Sequence, residues 1–376
     1  MKKVLSLILA LAMVLALAAC GGGNNDGQQS AGGDTQTTEP AGDDTQSGGD
    51  TQSGGDTQTT EPAGEVKTYN IGVSIYQFND NFMTLYRNEL ENYFGTLNSD
   101  TVEYKVNIQD GKNDMAEQTN QIQNFITQGM DLIICNPVQT SSADTLIDLA
   151  VDADIPMVLI NREPLGVDAD GNTVDESYPG IIDNAMVCYV GADARQSGTY
   201  QGEIVAALDN KGDMNGDGKV SYVMIIGDPE NPDAQYRTEF SIKALTDAGI
   251  EVEELTSQIG NWDTNQGQQI AQNALNQFGD QIDVIFCNND GMALGAATAI
   301  EQAGRKVGED ILLLGVDALE ECQQMVQNGT MTGTVLNDHI GQSHKAVDVA
   351  VQALNGESID NYYWVDYVKV DASYFA

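Results

Sequence analysis

Apolar runs with the length and composition of β-strands alternate with amphipathic segments through most of this chain, and this alternation constrains its fold more than any other feature. The intervening segments place apolar residues three and four positions apart, as helices do. Such alternation is typical of parallel sheets with crossover helices. The predicted strands are 69–75, 102–108, 132–135, 156–160 and 188–190, then 221–226, 251–255, 284–287 and 312–316. The predicted helices are 83–97, 117–128 and 143–153, then 235–248, 266–278, 291–303 and 320–327.

The two series of elements share a short sequence at the same relative place, DLIICN at 131–136 and DVIFCN at 283–288. We therefore predict an α/β protein with two Rossmann-like lobes of similar topology, each built on a parallel sheet. Residues 68–376, about 310 in all, are available for these lobes. A chain of that length is above the size at which a single hydrophobic core usually divides. The expected N-terminal lobe comprises 68–192 with 337–364, and the expected C-terminal lobe 193–336 with 365–376. The chain would cross the hinge between them three times, near 192, 337 and 364.

The N-terminus has the pattern of a secretory signal. Lys2 and Lys3 precede an apolar run, 4–19, that is too short to span a bilayer comfortably, and small residues lead up to Cys20. We predict a signal peptide over 1–19, lipidation of Cys20 and an extracytoplasmic protein held at the cell membrane by its lipid alone. Residues 20–67 are rich in Gly, Asp, Thr, Gln and Ser, which predicts a disordered stalk. The alternatives are a signal peptide with an incidental cysteine and an uncleaved membrane anchor.

Charge and cysteine content narrow the choice of partners. A formal net charge of −41 argues against nucleic acid and anionic lipid surfaces, because binding to phosphates depends on Lys and Arg, and it favours a neutral ligand. The four cysteines after Cys20 lack the spacing of a zinc site. We expect them to be small buried hydrophobes, with disulfides as the open alternative.

Polar residues with planar side-chain groups follow several of the predicted strands. Ligands of parallel sheets bind at the carboxyl ends of the strands, so these residues are candidates for one site. Carboxylates, amides and guanidinium groups together can match the adjacent hydroxyls of a sugar, and aromatic rings can pack against its C–H faces. Each residue alone is explained equally well as a helix cap or a core residue. The candidates are Asp80, Asn161, Asn231, Asp233, Arg237, Asn289, Asp317 and Asn337, with the aromatic residues Phe82 and Trp262.

Seven segments of the chain resemble, in order, the periplasmic glucose/galactose-binding proteins of ABC importers, which have the type I periplasmic binding protein fold. The resemblance covers residues from about 69 to the C-terminus. The segments are 76–83 (YQFNDNFM), 161–164 (NREP), 231–234 (NPDA), 262–264 (WDT), 288–290 (NND), 315–319 (GVDAL) and 333–338 (GTVLND).

The resemblance implies a site and a role for the chain. Phe82 and Trp262 would stack on the sugar, and the polar candidates would bind its hydroxyls. Asn231 stands where the family usually has a histidine, so affinity or epimer preference is expected to differ. The implied protein is a monomeric solute-binding lipoprotein whose lobes close on glucose or galactose and deliver it to the permease of an ABC importer.

Residues 213–221 carry a second pattern, with oxygen ligands at alternate positions and a glycine at the turn, as in a calcium loop. The twelfth position is Met224, so a bidentate carboxylate must come from elsewhere. The resemblance assigns it to Asp283, where the family has a longer glutamate. The alternative is a turn without an ion. The predicted Ca²⁺ ligands are Asp213, Asn215, Asp217, Lys219, Ser221 and Asp283.

Several other functions are alternatives to solute binding. A glycosidase could use Asp80 and Asp233 as acid and base, but Arg237 lies one helical turn after Asp233 and is expected to keep it ionised, so we predict no enzyme. A repressor needs an N-terminal DNA-binding domain, but in this chain the N-terminal residues are predicted to be the signal peptide and the stalk. The remaining alternatives are a receptor for a related pentose and a sugar sensor that presents its ligand to a chemoreceptor or kinase.

Overall fold

Six parallel strands form the first sheet of the computed structural model, which describes residues 65–376 except 168–172 and 175. The predicted signal peptide, Cys20 and nearly all of the predicted stalk therefore lie outside the described residues. The spatial order of the strands is β13-β7-β4-β3-β1-β2. They are β1 Lys67–Ile75, β2 Val102–Asp110, β3 Leu132–Cys135, β4 Met157–Ile160, β7 Val187–Gly191 and β13 Tyr362–Trp364.

Helices cover both faces of this sheet. One face packs against α1 and α10 through residues such as Tyr86 and Phe94, and the other packs against α2 and α3 through Ile122 and Phe125. All four side chains are fully buried. The helices are α1 Asn81–Thr96, α2 Met115–Gln128, α3 Ala143–Asp152, the short α4 Pro179–Ile182 and α10 His339–Leu354. A small antiparallel pair, β5 Gly166–Val167 and β6 Thr173–Val174, follows β4.

The second sheet repeats this plan with four parallel strands in the order β11-β10-β8-β9. Its two faces are likewise covered by helices, so both sheets have the buried, apolar strands that sheets of this kind require. The strands are β8 Val220–Ile226, β9 Val252–Ile259, β10 Val284–Cys287 and β11 Leu312–Leu314. The helices are α5 Ala194–Ala206, α6 Pro232–Asp247, α7 Thr264–Phe278, α8 Asp290–Gln302 and α9 Glu320–Asn328.

Three connections join the two halves. The chain leaves β7 for α5, returns from β12, Thr334–Leu336, to α10, and leaves β13 for β14, Val368–Val370. Strands β12 and β14 pair antiparallel with each other, and isolated bridges at Leu314 and Asp317 join them to the end of β11. The α/β class with parallel sheets is therefore confirmed, while the predicted lobe boundaries stay a prediction.

All nine predicted strands are present, but the sequence pattern missed the helices α4 and α5 and the short strands β5, β6 and β12 to β14. Three-residue strands carry too few residues to show a period, and α5 contains buried Gly198, Gly202 and Gln201 in place of a regular apolar stripe. The four cysteines described, at 135, 188, 287 and 322, are buried and unpaired, as expected. Within the described part of the chain, no helix has the length and apolar character needed to cross a membrane.

Helices α5 and α6 pack closely because glycines face the contact. A Cβ atom on Gly202 would lie 2.3 Å from the Ser241 carbonyl oxygen, and one on Gly198 would lie 2.9 Å from the Arg237 carbonyl oxygen. Both obstacles are backbone atoms, which cannot rotate away. The position of α6, and of the side chains at its N-terminal end, therefore depends on these glycines.

We expect Gly202→Ala to lower the free energy of unfolding by about 1–3 kcal/mol, since the added methyl group forces the two helices apart. The matched control is Gly95→Ala in α1, where an added Cβ meets no atom within 4 Å. That change should be neutral or stabilise by up to about 1 kcal/mol through helix propensity. Denaturant unfolding measures both, and equal effects of the two substitutions would contradict the packing argument.

Candidate functional site

The carboxyl ends of the two large sheets open into one cleft, and all ten residues predicted to bind sugar line a single cavity there. The cavity contains about 310 Å³ of space between atoms. Three further residues, Tyr76, Met83 and Arg162, complete its wall. The predicted residues in the wall are Asp80, Phe82, Asn161, Asn231, Asp233, Arg237, Trp262, Asn289, Asp317 and Asn337.

Helix capping holds three of these side chains in the cavity wall. Asp80 Oδ1 accepts a hydrogen bond from the Met83 amide at 2.7 Å and thereby starts α1. Asn231 and Asn289 cap α6 and α8 in the same way. Capping uses only the oxygen of each asparagine, so the amide NH₂ group can still donate. That of Asn289 also donates one long hydrogen bond to Trp262 O at 3.4 Å, which leaves its second N–H for a ligand. The two explanations open at the sequence level, helix cap and binding residue, are therefore compatible.

A buried ion pair lies on one side of the cavity. Arg237 Nη2 is 2.8 Å from Asp233 Oδ2 and 3.0 Å from the Tyr367 hydroxyl, while Nη1 donates to the Asn288 carbonyl at 2.8 Å. Burial nevertheless raises the pKa of Asp233 above its ordinary value, against the opposing charges of Arg237 and Arg162. The expectation that Arg237 keeps Asp233 ionised considered only the charge of Arg237 and not this burial, and the ionisation of Asp233 stays a prediction.

A second buried carboxylate, Asp317, has no hydrogen bond to a cation among the residues that the structure describes. Its Oδ1 accepts from Asn337 Nδ2 at 3.3 Å, and Asn337 is oriented in turn by Gln342 Nε2 at 2.6 Å. Burial raises the pKa of Asp317 well above its ordinary value, although the charge of Arg237 lowers it. Ligand hydroxyls that donate to this carboxylate would compensate for its lost hydration.

The two predicted stacking residues reach the cavity from different halves of the protein. Phe82 lies in the first turn of α1, and Trp262 follows β9. The backbone of Trp262 has φ 64°, a left-handed conformation that is rare for a bulky residue and costs about 1–3 kcal/mol. Its ring lies against Gly227, where a Cβ atom would come within 2.0 Å of the indole. The fold therefore accepts strain in order to present this ring.

Arg162 is a site residue that sequence reasoning missed. Its side chain is 1% exposed, its guanidinium lies 3.7 Å from the centre of the Tyr76 ring, and Nη1 donates to Val138 O at 2.7 Å and Asp228 Oδ2 at 3.0 Å. Nε and Nη2 have no hydrogen-bond partner in the described part of the chain. Burying such donors unpaired is costly, so they are available to a ligand. The sequence contained one indication of this role, a positively charged residue directly after Asn161 at the end of a buried strand.

The predicted calcium loop has the expected turns but a sparse set of ligands. Asp213 accepts from the amides of Gly216 and Gly218, as alternate residues of such a loop do. Asp283 binds the loop directly, because its two oxygens accept from the amides of Met214 at 2.9 Å and Ser221 at 2.8 Å. Among the residues described, no group of three or more Asp, Glu, His or Cys side chains lies close enough to hold a metal ion. Calcium stays a prediction.

Comparisons with known proteins agree with this geometry. Residues 71–358 match the model of the periplasmic binding protein domain. The D-galactose/methyl-galactoside binding periplasmic protein of Haemophilus influenzae is 34% identical over 292 residues, which is 77% of this chain and 82% of that protein. The ribose import binding protein of Salmonella typhimurium is 25% identical over 71% of this chain and 80% of its own length.

A solved structure extends the comparison. An ABC transporter solute-binding protein from Bacillus halodurans, with bound myo-inositol, has a TM-score of 0.69 and 29% identity, covering 82% of this chain and 96% of that one. These relatives are solute-binding proteins and not enzymes. With its matching domain, its two parallel sheets and its cleft lined by polar and aromatic residues, the chain belongs to the periplasmic binding protein family and is a type I periplasmic sugar-binding protein.

Proposed function

We propose that this sugar-binding protein captures a single hexose of the glucose/galactose type between its lobes and delivers it to the permease of an ABC importer. The observation that carries the proposal is the meeting of all ten predicted residues in one cavity of about 310 Å³. Its wall combines two aromatic rings with carboxylate, amide and guanidinium groups, which suits the C–H faces and the hydroxyls of one sugar ring. The galactose-binding relative supports this choice of sugar.

Contacts across the cleft support a mechanism of lobe closure. Arg162, after β4, pairs with Asp228, after β8, and the Thr140 hydroxyl donates to the Glu230 carbonyl at 3.1 Å. A sugar held by residues of both halves adds further contacts that exist only when the cleft is closed. Binding therefore stabilises the closed form, which is the form that a permease can distinguish from the empty protein.

Calorimetry with glucose and galactose tests the proposal at the stacking residue Trp262. We expect Trp262→Ala to weaken binding of the preferred hexose roughly 10–100-fold, because it removes one stacking face. Tyr374→Ala is the control, since Tyr374 is an exposed aromatic residue near the C-terminus that does not line the cavity, and its affinity should equal that of wild type. Equal losses in both variants would show that the effect is not local to the cavity.

The same measurement identifies the sugar. Xylose, ribose and myo-inositol complete the panel, and tighter binding of one of these than of both hexoses would contradict the proposed hexose. Asn231→His, which restores the residue usual in the family, should change the ratio of glucose to galactose affinity. An unchanged ratio would show that Asn231 does not read the epimeric hydroxyl. Binding of no sugar in the panel would leave the proposal without support.

We also propose that the loop at 213–221 binds Ca²⁺ weakly. The alternate oxygen ligands support it, but the Ser221 hydroxyl lies 3.4 Å from Glu253 and is directed to it, so we expect a dissociation constant near the 10⁻⁴–10⁻³ M of other extracellular modules. Millimolar calcium should raise the melting temperature of chelator-treated protein. Asp217→Asn should abolish this rise, while Asp247→Asn, an exposed carboxylate on α6, should leave it intact. A wild-type melting temperature that does not change with calcium would contradict the proposed calcium site.

For location, we propose lipidation at Cys20 with a stalk that lets the binding body move around its permease. The supporting observations are the leader sequence before Cys20 and the polar composition of 20–67. We expect Cys20→Ala to release into the medium a protein that still binds sugar but supports uptake poorly, because tethering raises its effective concentration at the permease. Cell fractionation and calorimetry measure both effects, and retention of the variant in the membrane fraction would contradict the anchor.

A further inference from the structure

A second space lies beside the sugar cavity, on the outer side of the cleft, and contains about 820 Å³. We call it the vestibule. Tyr76, Asp80 and Trp262 border both spaces, and Asn113, Asn261 and Gln266 form part of the outer wall of the vestibule. Asn113 follows β2 of the first sheet, whereas Asn261 lies just before α7 and Gln266 lies within it, and α7 packs on the second sheet. As in the cavity, residues from both halves thus form the vestibule. It is therefore a continuation of the cleft.

The partition between the two spaces is a short chain of hydrogen bonds. The Tyr76 hydroxyl donates to Asp80 Oδ2 at 2.7 Å and accepts from Gln77 Nε2 at 3.1 Å. The indole of Trp262 is the other shared wall. A ring that stacks on Trp262 inside the cavity therefore has its edge close to the vestibule, with only side chains between the two spaces.

The vestibule wall has the chemistry of a carbohydrate site. Amide groups of Gln77, Asn113, Asn261 and Gln266 can each donate and accept, as the hydroxyls of a sugar require. Tyr76 and Trp262 border the vestibule, but the guanidinium of Arg162 and the backbone of Gly227 lie against their rings, so the wall is mainly polar. The described lining also includes three carboxylates but no Lys, Arg or His, so an anionic substituent such as a phosphate or uronate would be repelled. The ligand class that fits is neutral and rich in hydroxyls.

The backbone around the vestibule is held in uncommon conformations. Asn113 has φ 53°, Asn261 φ 50° and Trp262 φ 64°, all in the left-handed region. The turn at Asn113 is fixed by its amide, which donates to Tyr76 O at 2.7 Å. Such conformations persist only where the surrounding structure enforces them, and they concentrate at ligand sites. The vestibule is thus a shaped wall and not a gap left between two mobile loops.

We propose that the vestibule is a second sugar subsite, so that the protein binds neutral disaccharides as well as the free hexose. One ring would occupy the cavity between Phe82 and Trp262, and the second would lie against the amides of the vestibule. This inference rests on the proposed function, because the first ring uses the site described above.

Calorimetry on the lipid-free protein, with the full folded body, tests the subsite. The ligands are the hexose preferred by wild type, its methyl glycoside, and the disaccharides lactose, melibiose, maltose and trehalose. We expect at least one disaccharide to bind within about 10-fold of the free hexose, a difference of about 1.4 kcal/mol. The methyl glycoside should bind like the hexose, because one methyl group barely enters the vestibule.

A variant that fills the vestibule separates the two sites. Gln266→Trp should weaken binding of the disaccharide at least 10-fold and leave the free hexose within about twofold of wild type. Gln269→Trp is the matched control, because Gln269 is exposed on the same helix but does not line the vestibule. It should change neither affinity.

Each outcome decides one claim. Binding of the hexose without any disaccharide would overturn the subsite and leave the proposed function intact. A disaccharide that binds equally to wild type and Gln266→Trp would overturn the placement of its second ring in the vestibule. Failure of every sugar, the hexose included, would overturn the proposed function itself.

Discussion

Parallel pairing in both large sheets brings the carboxyl end of every strand in a sheet to one edge, and the site depends on this constraint. Helices that follow the strands begin at the same edge, so residues that cap helices also face the cleft. Asp80, Asn231 and Asn289 have both tasks. A cap fixes the side chain at one oxygen and leaves its remaining polar atoms in a known direction. The hydrogen bonds that start these helices therefore also preorganise the site.

Two buried arginines connect the site to its surroundings in different ways. Arg237 is anchored within the second half by Asp233, Asn288 and Tyr367, so it keeps one geometry whether or not the cleft is closed. Arg162 instead reaches from the first half to Asp228 of the second. A guanidinium suits both roles because its donors form a rigid fork, and different edges of that fork can hold different partners.

Much of this site could be predicted from sequence because its residues recur at one kind of position, the end of an apolar strand. Asp317 and Asn337, for example, follow β11 and β12 and meet in the cavity although β12 itself escaped prediction. Arg162 was missed because its role comes from a long-range contact with Asp228, and Tyr76 was missed because it continues the apolar run of a predicted strand and the candidates nearby lie after that run. For Asp233, sequence spacing shows the nearby charge of Arg237 but not the burial that raises the pKa of the carboxyl group.

Arg162 also explains how binding and closure can be coupled. Its Nη1 donates to Val138 and Asp228, while Nε and Nη2 are buried with no partner among the described residues. Under the proposed closure, these unpaired donors would make the closed form unfavourable until a ligand accepts from them. A ligand that accepts from these donors removes that cost only in the closed form. Such a difference in free energy between two forms is what a ligand must supply in order to shift their populations.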